Sequence, residues 1–169
     1  MKIGIRRMEL GDLSQVVAIE NRWSFLSKWG ETGYRAVMSD PRIYTCLVAE
    51  VTKVPSSPAE VAGLAVVAQL IDECELCNLV VLPEYVSKRV GYSLLQACVE
   101  VAQRFKIPRI LLEVRQSNNR AIEFYKKNGF RITSERKNYY LNPNENAWVM
   151  ERDVEVGRPT EPRKATQLG

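Results

Sequence analysis

The sequence predicts one α/β (α+β) domain, a mixed and mostly antiparallel sheet of about seven strands flanked by about four helices. Three observations carry this. Some stretches alternate apolar and polar residues and others repeat apolar residues at helical spacing; the two kinds interleave along the chain; and 169 residues, 46% hydrophobic and 26% charged, fit a single self-sufficient core.

KIGIRRM alternates as a half-buried strand does, and Asp12 begins a helix reaching about Trp23, with Gln15 at capping-box spacing. Ser27 can cap a short second helix containing Trp29, Tyr34 and Val37. Gly30 and Gly33 each weaken that helix by about 1 kcal/mol, so a loosely held segment is expected. IYTCLVAEV, then VAGLAVVAQLI after the polar VPSSPAE connection, then ECELCNLVVL read as an antiparallel meander.

Beyond Pro83, Leu94, Leu95, Cys98, Val99 and Ala102 recur at helical spacing and predict a helix from about Val90 to Phe105. RILLEV is a buried strand, and SNNRAIEFYKKNGF is a helix capped by Asn118 and stopped at Asn128-Gly129. FRITSERKNYY and NAWVMERDV form a closing hairpin. The remainder is poor in apolar residues, so the domain is expected to span 1–153 and a flexible tail 154–169.

Composition excludes several chemistries. There is no histidine, which removes Ser-His-Asp and Cys-His nucleophiles and the commonest transition-metal ligand. Cys46, Cys74, Cys77 and Cys98 lie in apolar runs and read as reduced core residues; Cys74 and Cys77 form a CxxC on a strand, where residues three apart face opposite ways, so no metal is expected. A net charge of +4 is too mild and too dispersed for a nucleic-acid partner. The chain has no apolar run of membrane length, and MKIGIRRMELGD carries acidic residues where a signal peptide would be apolar. A cytoplasmic protein with no membrane partner is expected, as a monomer or weak dimer.

The element order, together with SKWGETGY, NLVVLPEYVSKRVGYSLL, LLEVRQSNNRAIEFYKKNGF and RKNYY, resembles the GNAT superfamily of N-acetyltransferases over residues 3–153. Within it, the chain looks like the bacterial ribosomal-protein alanine N-acetyltransferases, the RimI-like group. The resemblance implies an acetyl-CoA donor, no metal, a V-shaped splay between two central strands, and a protein N-terminus, that of a ribosomal protein, as acceptor.

The turn into the long helix brings free N–H groups and the positive end of the helix dipole together at residues 86–91, an anion site suited to the CoA pyrophosphate. The family's loop is Gln or Arg, two variable residues, Gly, one residue, then Gly or Ala. One register puts Val86 first, Arg89 in place of the first Gly and Gly91 last, requiring positive φ at Arg89 for about 1 kcal/mol. A two-residue shift would use Lys88, Gly91 and Ser93 instead. In the resemblance Leu79, Val80 and Val81 offer backbone groups to the pantetheine, with the Val80 N–H facing the thioester oxygen. Val90, Tyr92 and Asn118 complete the CoA contacts, although Asn118 serves equally as a helix cap.

Acyl transfer to an amine needs a neutral amine, a stabilised oxyanion and a proton for the leaving thiolate. An α-amine, with a pKa about 2.5 units below lysine's, needs only a modest base. Glu113 is the one carboxyl inside RILLEV, where burial raises a carboxyl's pKa, and it matches the family's base. The alternative is a strand carboxylate paired with Arg115 or another cation, with Glu73, Glu75 and Glu84 as stand-ins. Tyr125 matches the family's acid and also fits a core tyrosine packed on Phe124 and Phe130. Trp29 and Tyr34 correspond to the family's W-S-x-x-x-F segment, and Tyr139 with Tyr140 to its RNYY. Both segments flank the acceptor groove in the resemblance, and aromatic packing is the competing account. An acetyltransferase of small amines or antibiotics and a non-catalytic CoA-binding domain remain as alternatives.

Overall fold

The computed structural model describes residues 1–24, 26–55 and 58–157. The order is β1 (Lys2–Arg7), α1 (Leu13–Asn21), α2 (Gly30–Met38), β2 (Tyr44–Thr52), β3 (Glu60–Gln69), β4 (Cys74–Val81), α3 (Val90–Arg104), β5 (Arg109–Arg115), α4 (Asn119–Lys127), β6 (Arg131–Tyr140) and β7 (Glu145–Asp153). This is the predicted succession. The strands form one sheet in the order β1-β2-β3-β4-β5-β7-β6. Only β4 and β5 run parallel, and the rest pair antiparallel.

Helices cover both faces of the sheet. Leu94, Leu95 and Cys98 of α3 and Ile122 of α4 pack on Ala65, Val67, Ile110 and Leu112. Val16 and Ile19 of α1 and Tyr34 of α2 pack on Val48, Leu64, Val66 and Val80. Successive β3 residues thus enter opposite cores, which explains why VAGLAVVAQLI is apolar without alternation. The closing hairpin inserts β7 beside β5, leaving β6 as an exposed, charged edge that discourages further strand pairing.

Two local expectations need correction. Asp12 does not cap α1 with its side chain. Its carboxylate instead accepts Nη1 and Nη2 of Arg6 at 2.7 and 2.8 Å and the Glu9 N–H at 2.8 Å, joining β1 to the first turn. Ser27 does not cap α2 either. The N–H groups of Trp29 and Gly30 donate to Glu20 of α1 at 2.9 and 3.1 Å, so a buried carboxylate secures a helix expected to be loose. The glycines have specific uses: Gly30 takes φ 63°, and a Cβ at Gly33 would lie 2.9 Å from that of Trp29.

Cys74 enters the α3 core and Cys77 the α1–α2 core, on opposite faces as expected. Burial pushes their thiols up to about 11 and about 12, so neither offers a thiolate at neutral pH. After β7, Val154 is buried and its N–H donates to Pro108 O at 2.8 Å, while Val156 packs on the α3 core. The rest of the expected tail, 158–169, lies outside the described residues. Among the described residues no helix is long and apolar enough to cross a membrane.

The Arg6 hydrogen bonds hold the Asp12 carboxyl below the usual carboxylate range. A depressed folded pKa contributes stability above the unfolded value, and that contribution fades as pH falls through the folded one. Asp12→Asn should therefore lower stability by about 1–3 kcal/mol near pH 7, and its deficit relative to the parent should shrink below about pH 4, as measured by urea unfolding.

Candidate active site

β4 and β5 are hydrogen-bonded only at Cys74↔Ile110 and Glu75↔Leu111. Beyond those pairs the strands part, and the sheet opens into a V between residues 76–81 and 112–115. Each strand then leads into a helix whose N-terminus stands at the mouth. A cavity of about 640 Å³ fills this opening, lined largely from α3, α4 and the segments leading into them, with Trp23 and Leu26 closing it from the α1–α2 layer.

Side-chain identity matters less at the β4 wall than which backbone groups face inward. The Leu82 N–H donates to Ala62 O at 2.8 Å, so position 82 points its hydrogen-bonding groups at β3. Antiparallel ladders alternate, and the register Val80↔Leu64 and Asn78↔Val66 directs those residues toward β3 as well. Leu79 and Val81 therefore present N–H and C=O to the opening. The indole N–H of Trp23 donates to Val81 O at 2.9 Å from that side. This corrects the expectation for Val80: its N–H belongs to the β3 ladder and it lends only a side chain to the wall, whereas Leu79 offers the N–H.

The ladder also shifts between Val66 and Val67, leaving Cys77 as an extra residue in β4. Cys77 and Asn78 consequently both turn toward α1 and α2, where Cys77 enters the core and the Asn78 amide donates to the Tyr34 hydroxyl.

The loop into α3 realises the first of the two registers. Ser87 and Arg89 take φ 62° and 67°, and Arg89 occupies the N-cap without a side-chain cap bond. Ser93 N is the first to close a turn, onto Arg89 O at 2.9 Å, so the N–H groups of Val90, Gly91 and Tyr92 lack intrahelical acceptors. Val86, Arg89, Gly91 and Tyr92 line the cavity. Lys88 does not; its ammonium sits 5.6 Å over the Tyr85 ring. Val90 is wholly buried, so only its backbone is on offer. From α4 come Asn118 and Tyr125. The Asn118 side chain accepts the Ala121 N–H at 3.2 Å, the capping role.

Tyr125 packs edge-on between Phe124 and Phe130, at 5.2 and 5.5 Å between centroids. Burial pushes its phenol well above the ordinary value, so it stays protonated. Glu113 alternates with Leu112 and Val114 and so faces the opposite side of the sheet from the cavity. Its carboxylate meets Arg136 Nε at 2.5 Å and bonds the Tyr139 hydroxyl. Arg115, the cation proposed from sequence, instead bonds Glu145 at 3.2 Å and covers the Tyr140 ring at 4.2 Å.

Glu75 stands across the fork from Glu113, and its carboxyl is raised, chiefly by burial and then by Glu113. Of the other stand-ins, Glu73 pairs with Arg109 and Glu84 with Arg22 at the surface. Burial first, then Glu113, pushes the Tyr140 phenol up to about 12, and Tyr140 in turn acts on Tyr125.

Of the acceptor-side aromatics, Tyr139 is 45% exposed and Trp29 is half-buried. Tyr34 has no exposed surface, and its hydroxyl donates to Glu20 at 2.8 Å. It cannot line a groove. Sequence reading missed Arg136 and Glu20; the second had a signal, a lone carboxylate on the apolar face of α1.

A sequence model described as the acetyltransferase (GNAT) family matches residues 13–130. A putative ribosomal protein bS18-alanine N-acetyltransferase of Bacillus subtilis is 30% identical over 150 residues, covering 88% of this chain and 94% of that one. The crystal structure of the ribosomal-protein-S18-alanine N-acetyltransferase from Escherichia coli superposes with a TM-score of 0.78 at 26% identity, covering 93% of this chain and 97% of the other. The PaiA N-acetyltransferase of Thermoplasma acidophilum, solved with coenzyme A, shares the fold at a TM-score of 0.70 and 21% identity over 91% of this chain and all of that one.

Positive φ at Arg89 is strained for a residue with a Cβ. Arg89→Gly should leave the free protein equally stable or up to about 1 kcal/mol more stable in urea unfolding, while weakening its stabilisation by millimolar pyrophosphate in thermal-shift assays.

Proposed function

The chain belongs to the acetyltransferase (GNAT) family, and on that premise we propose that it moves the acetyl group of acetyl-CoA to the N-terminal amine of a protein, of the ribosomal bS18 class. The observation that carries this is the V between β4 and β5, with anion-binding and amide-pairing groups on one side and carboxylates on the other.

The residues present fit the donor. Free N–H groups at Val90, Gly91 and Tyr92, beside Arg89, suit a pyrophosphate; inward-facing groups of Leu79 and Val81 suit a chain carrying amides; and the walls between are apolar. For Val81 O the pairing requires Trp23 to yield its hydrogen bond. When bound, acetyl-CoA supplies an electrophilic thioester carbonyl. The Leu79 N–H is the donor for negative charge gathering on that carbonyl oxygen, a service worth roughly 10²–10³ in rate where single donors have been removed from other enzymes.

On the opposite face Glu113 and Glu75 attract the incoming ammonium and accept its proton, directly or through water. Arg136 and Tyr139 hold the Glu113 carboxylate in place. The raised carboxyl of Glu75 makes it a better proton acceptor than an ordinary carboxylate once ionised. Tyr125, protonated and facing the cavity, gives its proton to the departing thiolate. Trp29 and Tyr139 border the acceptor's approach. An acceptor on the ribosome goes with a cytoplasmic protein that needs neither membrane nor nucleic acid of its own.

Mass spectrometry of a peptide panel with free, blocked and lysine-only amines, incubated with acetyl-CoA, should show acetylation of free N-termini alone. Polyamines or aminoglycosides outcompeting those peptides in kcat/KM would mean a small-amine enzyme, and acetyl-CoA binding by calorimetry with no amine acetylated a non-catalytic CoA-binding domain. Glu113→Gln and Tyr125→Phe should each lower kcat about 10²-fold or more while melting within a few degrees of the parent.

A further inference from the structure

The least exposed charged side chain among the described residues lies outside both the cavity and the carboxylate pair. Glu20 on α1 is 1% exposed, yet its carboxylate accepts three hydrogen bonds: Trp29 N–H at 2.9 Å, Gly30 N–H at 3.1 Å and Tyr34 O–H at 2.8 Å. The positive end of the α2 dipole lies against it, so three hydrogen bonds and that dipole together compensate the burial of the carboxylate. Having donated to Glu20, the Tyr34 hydroxyl accepts from the Asn78 amide at 3.0 Å. One chain of hydrogen bonds therefore runs from α1, through the start and middle of α2, to the side chain that follows the extra residue of β4.

That terminus matters because of what comes next. Asn78 is the first residue above the bulge, where the β4 ladder resumes, and the peptide joining Asn78 to Leu79 carries the N–H that faces the opening. On its other side β4 has no neighbour, since pairing with β5 ends at Glu75↔Leu111. A strand held along one edge, just after an irregularity, has freedom to rotate about its axis. The tilt of the Asn78–Leu79 peptide decides where the N–H points.

We propose that the buried series Glu20–Tyr34–Asn78 is a positioning device that sets the direction of the Leu79 N–H toward the acyl carbonyl. This rests on the acetyl-transfer reading above. None of the three residues touches the donor; they act through the β4 backbone. The ring of Tyr34 belongs to the core of α2, and its hydroxyl is the removable link.

The test uses the full chain labelled with ¹⁵N. In the parent protein, acetyl-CoA but not CoA should move the Leu79 amide proton downfield. Tyr34→Phe, which retains the ring and the packing, and Asn78→Ala should each reduce that acetyl-dependent shift. Each should also lower kcat about tenfold while KM for acetyl-CoA changes less than about twofold, since misdirection affects the transition state more than binding. Rates are compared well below each variant's melting temperature. Asn78→Ser, retaining a donor, should recover part of both readouts.

Variants with lowered melting temperature but parental shift and kcat would show a purely structural network and overturn the proposal. So would a parent protein whose Leu79 amide does not respond to the acetyl group. If no N-terminal peptide is acetylated, the acceptor assignment fails instead, while the amide shift in parent and Tyr34→Phe still decides the positioning role. Should Asn78→Ala not fold, the shift and kcat of Tyr34→Phe decide between the two outcomes.

Discussion

A parallel pair of strands at the centre of this sheet stays hydrogen-bonded for only two residue pairs before it separates, and the rest of the molecule is organised around the consequence. Backbone N–H and C=O groups in a sheet interior require partners, and leaving one buried and unsatisfied costs about 1–3 kcal/mol. Between β4 and β5 no third strand can enter, because both strands continue directly into helices packed on the sheet. Leu79 and Val81 are thereby left with groups that water, the Trp23 indole or a ligand carrying amides must satisfy. A molecule laid along that edge takes the place of the missing strand.

The same divergence separates two electrostatic environments by the thickness of one sheet. On the α3–α4 side, uncapped N–H groups and Arg89 favour anions, and the apolar wall shelters a protonated phenol. On the other side Glu75 and Glu113 oppose each other, with Arg136 limiting their repulsion. An anionic donor and a cationic acceptor are thus favoured on opposite faces of the sheet, at the place where it is open.

Charge burial organises the α1–α2 layer as well. Glu20 replaces the serine cap that α2 was expected to use and draws Tyr34 inward, making a core residue of one that was expected to flank the acceptor. Two helices that could have drifted apart are joined by one carboxylate. The joint reaches Asn78 and so the strand bearing the open edge.

Periodicity and end signals determined the element order by themselves. Period-two and helical patterns separated strands from helices; Asn118 and Asn128-Gly129 bounded α4 as expected, with Gly129 at φ 85°. One of the two loop registers open from the family motifs required positive φ at Arg89, and the backbone takes φ 67° there. These features are local, set by a residue and its neighbours within about four positions.

Only the tertiary structure decided the rest, because each case depends on groups distant in the chain. Whether Val80 or Leu79 offers its N–H follows from ladder parity, set by pairing with β3 and invisible along β4. Glu113 meets Arg136 rather than Arg115 because β7 intervenes between β5 and an irregularly paired β6. Asp12 bonds Arg6 instead of capping its helix, and Tyr34 is withdrawn from the surface, because a buried charge takes whichever donors the fold brings near.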